Sequence, residues 1–302
     1  MSRKHPIIAI TGSSGAGTST VTETFQQIFA RESIKAAIIH GDSFHRYDRA
    51  EMRAIHNEAI ARGENPPSHF GPEANDFESL ETLFENYGTD ASGKVRSYVH
   101  DAEEERQFGC PPGTFTPWED IEEGTDLLYY EGLHGAVKTD EVNVARHVDL
   151  CIGVVPIINL EWIQKIHRDR SARGYTTEAV TDMILRRMPD YVNYICPQFN
   201  NTDINFQRVP MVDTSNPFIT RWIPTADESM TVIRFRNPRG IDFPYLAAMI
   251  PGSFMSRANS IVVPGGKTEL AMQLIFTPMI WRLIDKSRKA RGLPGLDSRD
   301  PA

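Results

Sequence analysis

The sequence predicts an α/β protein with a mostly parallel sheet flanked by helices and with added antiparallel strands, and three observations support this. Residues 6–11 form a β-branched apolar run, which is typical of a strand buried on both faces. A Gly/Ser-rich turn follows, and from Thr18 apolar residues recur at helical spacing to about Glu32. Residues 34–39 again resemble a strand. A strand, glycine turn, helix and strand in succession form the crossover unit of parallel sheets.

The later elements are predicted from the same two periodicities. The expected helices cover 48–62, 76–87, 159–172, 177–188 and 268–289. The expected strands cover 94–100, 127–132, 148–155, 203–212, 230–235 and 260–263. Asn159 is expected to cap its helix, Pro189 to end one helix and Pro278 to bend another. Without an internal repeat or a low-complexity linker, the sequence favours one domain over 1–291 with a frayed tail at 292–302.

Composition excludes several classes of protein. The net charge of −8 argues against a surface that binds nucleic acid or an anionic membrane throughout. Residues 101–126 hold nine acidic residues against Arg106 alone, so this segment carries the whole excess and is interpreted as a solvated acidic loop. No run approaches the roughly 18 apolar residues of a membrane helix, and the three cysteines lack metal or disulfide spacing. We therefore expect a cytoplasmic protein with neither nucleic acid nor membrane as a partner.

A glycine-rich motif joins the first strand to the first helix. Its spacing is that of a phosphate loop, in which backbone N–H groups and a helix N-terminus bind phosphate oxygens. The candidate ATP-binding residues are Gly12, Ser13, Ser14, Gly15, Ala16, Gly17, Thr18, Ser19 and Thr20. Ser19 is the candidate Mg²⁺ ligand, while Thr18 stands where such loops usually carry lysine. The motif predicts a P-loop NTPase-type fold, similar to the nucleoside-monophosphate kinases, in which another cation meets the phosphate charge.

A basic segment on the helix predicted at 159–172 is a candidate for that cation. Lys165, Asp169 and Arg173 are spaced four residues apart on one face and its end, with Arg168 beside them. In phosphotransferases of this architecture such a segment often forms a lid over the phosphates. The alternative is a surface helix with several salt bridges.

Carboxylates follow the ends of predicted strands, which is the edge where open α/β sheets bind ligands. Asp42 follows the second strand and is the candidate general base, while Glu131 ends the apolar strand at 127–132 and is the candidate metal ligand. Asp169 on the basic helix is the third carboxylate. Taken singly, each could equally be a helix cap or a surface acid. The polar residues expected to bind an anionic sugar phosphate beside Asp42 are His45, Arg49, Tyr98 and His100.

The last third of the chain contains further cations. We interpret them as a second anion site or a subunit contact, although sequence spacing cannot place them together. They are Arg221, Arg234, Arg236, Arg239 and Arg257.

Four motifs resemble the phosphoribulokinase family in its short bacterial form. They are GSSGAGTST, GDSFHR, YYEGLHG and, most specifically, the pattern from Lys165 to Glu178. The resemblance implies a Calvin-cycle enzyme that uses ATP and Mg²⁺ to phosphorylate the 1-hydroxyl of ribulose 5-phosphate. It assigns proton abstraction to Asp42 and metal or phosphate-transfer roles to Glu131 and Asp169. The substrate contacts it implies are His45, Arg49, Lys165, Arg168 and Arg173.

The same resemblance implies a homo-octamer that is activated by NADH and inhibited by AMP. No cysteine precedes Cys110, so thioredoxin control of the kind found in the chloroplast branch is not expected. Two alternatives remain open. One is a uridine or pantothenate kinase of the same architecture, and the other is a nucleotide-binding regulator without catalytic activity.

Overall fold

The structure is a computed structural model that describes residues 4–13, 18–220 and 222–295. The side chains of residues 18, 19, 172 and 173 also lie outside this description. Several predicted site residues are therefore not placed by it: Ser14, Gly15, Ala16, Gly17 and Arg221 entirely, and the side chains of Thr18, Ser19 and Arg173.

The described strands form one large sheet and one small one. In chain order they are β1 (Ile7–Gly12), β2 (Ala36–His40), β3 (Lys94–Val95), β4 (Glu119–Asp120), β5 (Leu127–Gly132), β6 (Leu150–Val155), β7 (Ile204–Pro210), β8 (Ser229–Phe235), β9 (Phe254–Arg257) and β10 (Ser260–Pro264). The large sheet has the order β2-β5-β1-β6-β7-β8-β10-β9. The strands from β2 to β7 in this order run parallel, and the remaining pairs are antiparallel. The predicted fold class is confirmed.

Helices cover both faces of this sheet. In chain order the described α-helices are α1 (Thr18–Arg31), α2 (Arg49–Ala61), α3 (Phe77–Asp90), α4 (Ala102–Phe108), α5 (Ile158–Arg173), α6 (Thr177–Asp190), α7 (Phe243–Met249) and α8 (Thr268–Ala290). On one face, Phe25 of α1 packs 4.8 Å from Phe276 of α8, measured between ring centroids. On the other face, Phe84 of α3 lies 5.4 Å from Tyr130 of β5. The two cores hold β1 between them, and all six of its residues are buried.

The acidic segment is solvated, as predicted, but it contains a helix and a short strand, so its interpretation as a loop is wrong. Asp101 accepts backbone hydrogen bonds from Glu103 and Glu104 and so caps α4, while Gly109 ends the helix at a φ of 68°. Acidic side chains in the first turn of α4 suit its positive end. Further along, β4 pairs with β3. The predicted strand over 94–100 is correspondingly shorter and ends at Val95.

Two predicted helix boundaries are also wrong. Pro189 lies inside α6, and the chain continues as a π-helical turn over Tyr191–Ile195 and a 3₁₀ turn over Cys196–Asn200. A wider turn after proline accommodates the missing N–H without ending the helical path. At the start of α5 the capping position is Ile157 rather than Asn159, and no side chain caps it. None of the described helices is both long and apolar enough to cross a membrane.

Candidate active site

The candidate groups meet where β1, β2 and β5 end. In the sheet register Glu131 of β5 is paired with Ile10 of β1 on one side and with His40 of β2 on the other. The turn with Asp42 follows β2 directly, as a short 3₁₀ helix over Gly41–Phe44. Because these strands are parallel, the Asp42 turn, Glu131 and the start of the phosphate loop share one edge of the sheet.

Two glycines allow these strand ends to approach each other. A Cβ on Gly41 would lie 2.5 Å from Tyr130 Oη, and a Cβ on Gly132 would lie 2.7 Å from the same atom. Neither distance leaves room for a side chain, so the buried tyrosine requires glycine on both sides. The Asp42 turn is thereby seated directly on the end of β5.

Ser13, the first residue after β1, is a buried donor at the start of the phosphate loop. Its Oγ faces the Glu161 and Tyr191 side chains but forms no well-shaped hydrogen bond with a described residue. Tyr191 Oη donates to Glu161 Oε2 at 2.9 Å, and burial raises the pKa of Glu161. A buried hydroxyl that forms no well-shaped hydrogen bond within the described part of the chain, directly before the glycine motif, suits a phosphate oxygen as acceptor. These residues therefore fit a bound nucleotide.

Asp42 lies between two histidines. Its Oδ1 is 3.2 Å from His45 Nε2, and its Oδ2 is 3.5 Å from His100 Nε2. Partial burial acts to raise the pKa of this carboxyl, but the hydrogen bond with His45 and the nearby histidines outweigh that effect and lower it to about 2. This low pKa keeps the Asp42 carboxyl ionised. Its side chain is 40% exposed, so a substrate hydroxyl can reach it.

The other residues predicted for the acceptor side surround this carboxylate. Arg49 donates through Nη2 to the His100 carbonyl at 2.9 Å, and its guanidinium carbon lies 5.9 Å from the Tyr98 ring centroid. The Tyr98 ring is 5.0 Å from His100 and 6.2 Å from His45. We call Asp42, His45, Arg49, Tyr98 and His100 the acceptor cluster. The structure brings all five together from segments that are far apart in sequence.

Arg96 is a residue of this region that the sequence analysis missed. Its Nε donates to the Ser43 carbonyl at 3.0 Å and its Nη2 to the His45 carbonyl at 2.7 Å. Its guanidinium carbon lies 3.6 Å from the ring centroid of Phe115 and 4.7 Å from that of Trp118. The acidic segment thus holds, through two aromatic rings, the arginine that fixes the backbone of the Asp42 turn.

Two basic residues of α5 converge on a buried carboxylate of the same helix. Lys165 Nζ is 2.6 Å from Asp169 Oδ2, and Arg168 Nε is 3.2 Å from Asp169 Oδ1. The carboxylate of Asp169 is fully buried. Burial lowers the pKa of Lys165, and the bond to Asp169 opposes this shift. Glu161, one turn before Lys165, is the residue of α5 that faces Ser13.

Glu131 has a histidine as its neighbour. Its Oε2 is 3.6 Å from His40 Nδ1, and this contact raises the pKa of His40. Among the described residues, no three metal-binding side chains converge on one point. Mg²⁺ in phosphotransferases usually takes only one or two protein ligands beside phosphate oxygens and water. A single strand-end carboxylate next to a phosphate loop fits that kind of site.

The arginines of the last third lie away from the acceptor cluster. Arg236 forms an ion pair with Asp203, which directly precedes β7, so it lies at the opposite edge of the sheet. Arg239 lines a cleft of about 380 Å³ near the same edge, together with Arg282 and Lys286. Arg234 of β8 and Arg257 of β9 are both paired with Ser260 of β10, so they share one row across the sheet.

Known proteins share this chain's sequence and fold. The model of the phosphoribulokinase / uridine kinase family matches residues 7–215. The chain belongs to this family. Within the phosphoribulokinase / uridine kinase family, it is 67% identical over 290 residues to a phosphoribulokinase of Nitrobacter vulgaris, covering 96% of this chain and 100% of that relative. A phosphoribulokinase of Xanthobacter flavus is equally similar, at 67% identity over 290 residues.

A solved structure extends the similarity to three dimensions. The phosphoribulokinase from Rhodobacter spheroides superimposes with a TM-score of 0.87 at 63% identity. The match covers 94% of this chain and 99% of that one. The likeness in fold therefore extends over nearly the whole chain.

Proposed function

We propose that the chain transfers the γ-phosphoryl group of ATP to the 1-hydroxyl of D-ribulose 5-phosphate, giving D-ribulose 1,5-bisphosphate and ADP. The observation that carries the proposal is the ionised Asp42 carboxylate, held by His45 and His100 at the edge where the phosphate loop begins. Full-length relatives named phosphoribulokinase support the choice of acceptor.

Asp42 acts as the general base. His45 lies 3.2 Å from Oδ1, whereas His100 lies at the longer distance of 3.5 Å from Oδ2, so Oδ2 is the less closely held oxygen and takes the proton of the acceptor hydroxyl. Arg49 and the histidines bind the sugar phosphate, with Tyr98 against the sugar. Phosphoryl transfer depends on positioning and charge neutralisation more than on covalent chemistry. In this proposal the acceptor cluster binds the sugar phosphate, and the phosphate loop binds ATP on the other side.

The basic face of α5 supplies the charge that lysine provides in other phosphate loops. Lys165, Arg168 and Arg173 lie along α5, and Asp169 orients the first two. Arginine is suited to phosphate because its planar guanidinium donates two parallel hydrogen bonds. The alternative of a helix with internal salt bridges describes the same contacts without a ligand. The two interpretations differ in the activity that they predict for variants of these arginines.

Ser19 and Glu131 are the residues proposed to hold Mg²⁺. When bound, this ion neutralises charge on the β- and γ-phosphate oxygens. His40 is the neighbour of this proposed ligand, with its Nδ1 3.6 Å from Glu131 Oε2. The nucleotide itself is proposed to lie on residues 12–20, with Ser13 as one of its donors.

An acceptor panel tests the reaction. Release of ADP is measured with ribulose 5-phosphate, uridine and pantothenate as acceptors, at saturating ATP and Mg²⁺. We expect turnover that depends on ribulose 5-phosphate and is at least 100-fold faster than with the other two. A preference for uridine or pantothenate would replace the proposed acceptor, and ADP release that no acceptor stimulates would favour a nucleotide-binding regulator.

The resemblance also supports a proposal on assembly and control. The chain is proposed to form a cytoplasmic homo-octamer that NADH activates, with Arg234 and Arg257 as effector or interface residues. Light scattering coupled to size exclusion gives the assembly state directly, since one chain has a mass of 34.0 kDa. Initial rates with and without NADH test the activation, and a monomer with NADH-independent rates would refute both parts.

A further inference from the structure

Asn75 occupies a defined position behind the acceptor cluster. It is 2% exposed, and its backbone forms an isolated antiparallel bridge with His45. Its Nδ2 donates to the His69 carbonyl at 2.9 Å and to the Gly71 carbonyl at 2.6 Å. Both carbonyl oxygens can only accept, so the amide has a single consistent orientation. Its oxygen Oδ1 must therefore be the atom that faces His45.

This orientation determines which nitrogen of the His45 ring carries a hydrogen toward Asn75. Oδ1 of Asn75 lies 2.8 Å from His45 Nδ1 and can only accept, so Nδ1 carries a hydrogen. The opposite nitrogen, Nε2, is then the ring atom directed at Asp42, at 3.2 Å from Oδ1. Asn75 thus sets which edge of the ring faces the carboxylate.

The hydrogen-bond chain is anchored in the protein core. The His69 carbonyl that accepts from Asn75 also accepts from His134 Nε2 at 3.0 Å, and His134 is 4% exposed. The His69 ring stacks on His45 with 4.2 Å between centroids. Every group in the series from His134 to Asp42 thus has a fixed donor or acceptor role. The same logic of nucleophile, base and orienting group recurs in many active sites.

We propose that Asn75 is a positioning residue, which fixes the ring orientation and the Nδ1 hydrogen of His45 and through His45 holds Asp42 toward the acceptor hydroxyl. The inference rests on the proposed function only in assigning proton transfer to Asp42. Any hydroxyl acceptor is served by the same geometry. Asn75 touches neither reacting group, so its effect must be transmitted by the His45 ring.

The test compares Asn75→Leu with Asn75→Asp. Leucine removes the acceptor for His45, whereas aspartate keeps an oxygen for His45 and loses only the donors to the two carbonyls. We expect Asn75→Leu to lower kcat by roughly 10- to 100-fold, the loss typical of removing an outer partner of a functional group, with KM for ATP within about twofold of wild type. Asn75→Asp should recover at least a tenth of the wild-type kcat. Equal kcat values in the two variants at equal Tm would overturn the proposal.

A double-mutant cycle separates positioning from a purely structural effect. In a His45→Phe background there is no ring nitrogen to orient, so Asn75→Leu should change kcat by less than about twofold. An equal loss in both backgrounds would show that Asn75 acts through the general fold and would overturn the proposal. Asn259→Leu is the matched control, because Asn259 Nδ2 bonds the Phe235 carbonyl at 2.8 Å far from the cluster. It should lower Tm without changing kcat.

The wild-type acceptor preference tests the proposed acceptor independently of the proposed role of Asn75. The variants are assayed with whichever acceptor of the panel gives the highest wild-type kcat. A wild type that prefers uridine refutes the proposed acceptor, while the ratios among the Asn75 variants still decide the role of Asn75.

Discussion

At the scale of single residues, Asp42 combines an ionised state with access to solvent. We predict that Asp42→Asn lowers kcat by roughly 10²- to 10⁴-fold, as expected for loss of a general base. KM for ATP should stay near the wild-type value because Asp42 lies on the acceptor side. Steady-state kinetics with both substrates varied provides the measurement. Asp213→Asn, in an exposed loop, is the control, and a near-normal kcat in Asp42→Asn would remove Asp42 from this role.

His134 gives a prediction on pH. Burial, more than any neighbouring charge, lowers the pKa of His134 to about 4. The unfolded chain binds a proton at this residue below about pH 6.5, while the folded chain does so only near pH 4, so stability falls as the pH falls through that window. The contribution is on the order of 3 kcal/mol across the whole window.

The measurement is urea unfolding of wild type and His134→Gln between pH 4.5 and 7.5. Glutamine can still donate to the His69 carbonyl but does not titrate. Between pH 7.5 and pH 4.5, the wild type should lose at least about 1 kcal/mol more unfolding free energy than His134→Gln does. Parallel curves for the two proteins would contradict a neutral buried His134.

At the scale of elements, the Asp42 turn depends on an arginine from a different segment. Arg96 bonds two carbonyls of that turn, and lysine cannot reproduce a planar fork between two aromatic rings. We predict that Arg96→Lys lowers the unfolding free energy by about 1–3 kcal/mol and lowers kcat as well.

The matched control is Arg46→Lys, because the Arg46 guanidinium forms ion pairs with Glu78 and Asp76 near the surface. Such pairs contribute less than about 1 kcal/mol. Thermal unfolding and kcat are measured on both variants. If Arg96→Lys matched Arg46→Lys in both quantities, the hydrogen bonds from Arg96 to the Asp42 turn would contribute no more to stability and catalysis than a surface ion pair.

The lid proposal for α5 is tested on the same helix. Arg168→Ala and Arg173→Ala should each lower kcat/KM by about 10-fold or more, because each removes a cation from the transition state. Arg170→Ala, an exposed residue of α5, should have little effect. If kcat/KM were unchanged in both Arg168→Ala and Arg173→Ala, α5 would be a helix with internal salt bridges.

At the scale of the whole molecule, local sequence patterns predicted the architecture. They predicted only part of the candidate site. The central strands and the phosphate loop follow from short periodic segments. The acceptor cluster was predicted because its residues flank strand ends in recognisable motifs. Asn75 and Arg96 were not predictable, since they reach His45 from 30 and 51 residues away and their roles exist only in the folded contacts. Likewise, α4 was missed because its acidic composition looked like solvated chain.

The net charge of −8 acts on the molecule as a whole. The acidic segment reaches the acceptor cluster, since Glu104 Oε2 accepts from the His100 backbone N–H at 2.6 Å. We predict that the triple change Glu103→Gln, Glu105→Gln and Glu119→Gln lowers KM for the anionic sugar phosphate by up to about threefold at low ionic strength. The difference should vanish in 0.5 M salt, where screening extends over only about 4 Å. An effect that persists in salt would indicate a local structural change.

The packing of Arg96 between Phe115 and Trp118 makes Trp118 an intrinsic fluorescent probe of the Asp42 turn. Trp118 stands 4.7 Å from the Arg96 guanidinium carbon and 6.0 Å from Phe44, which belongs to the Asp42 turn. Indole emission responds to the charge and polarity around the ring, so movement of that turn registers as a spectral shift. Trp162 of α5, 5.7 Å from Phe218, gives a second signal on the basic helix. A variant that keeps Trp118 as its single tryptophan follows ligand binding at the acceptor side by fluorescence. A variant that keeps only Trp162, with the other three of the four tryptophans replaced, follows it at the basic helix.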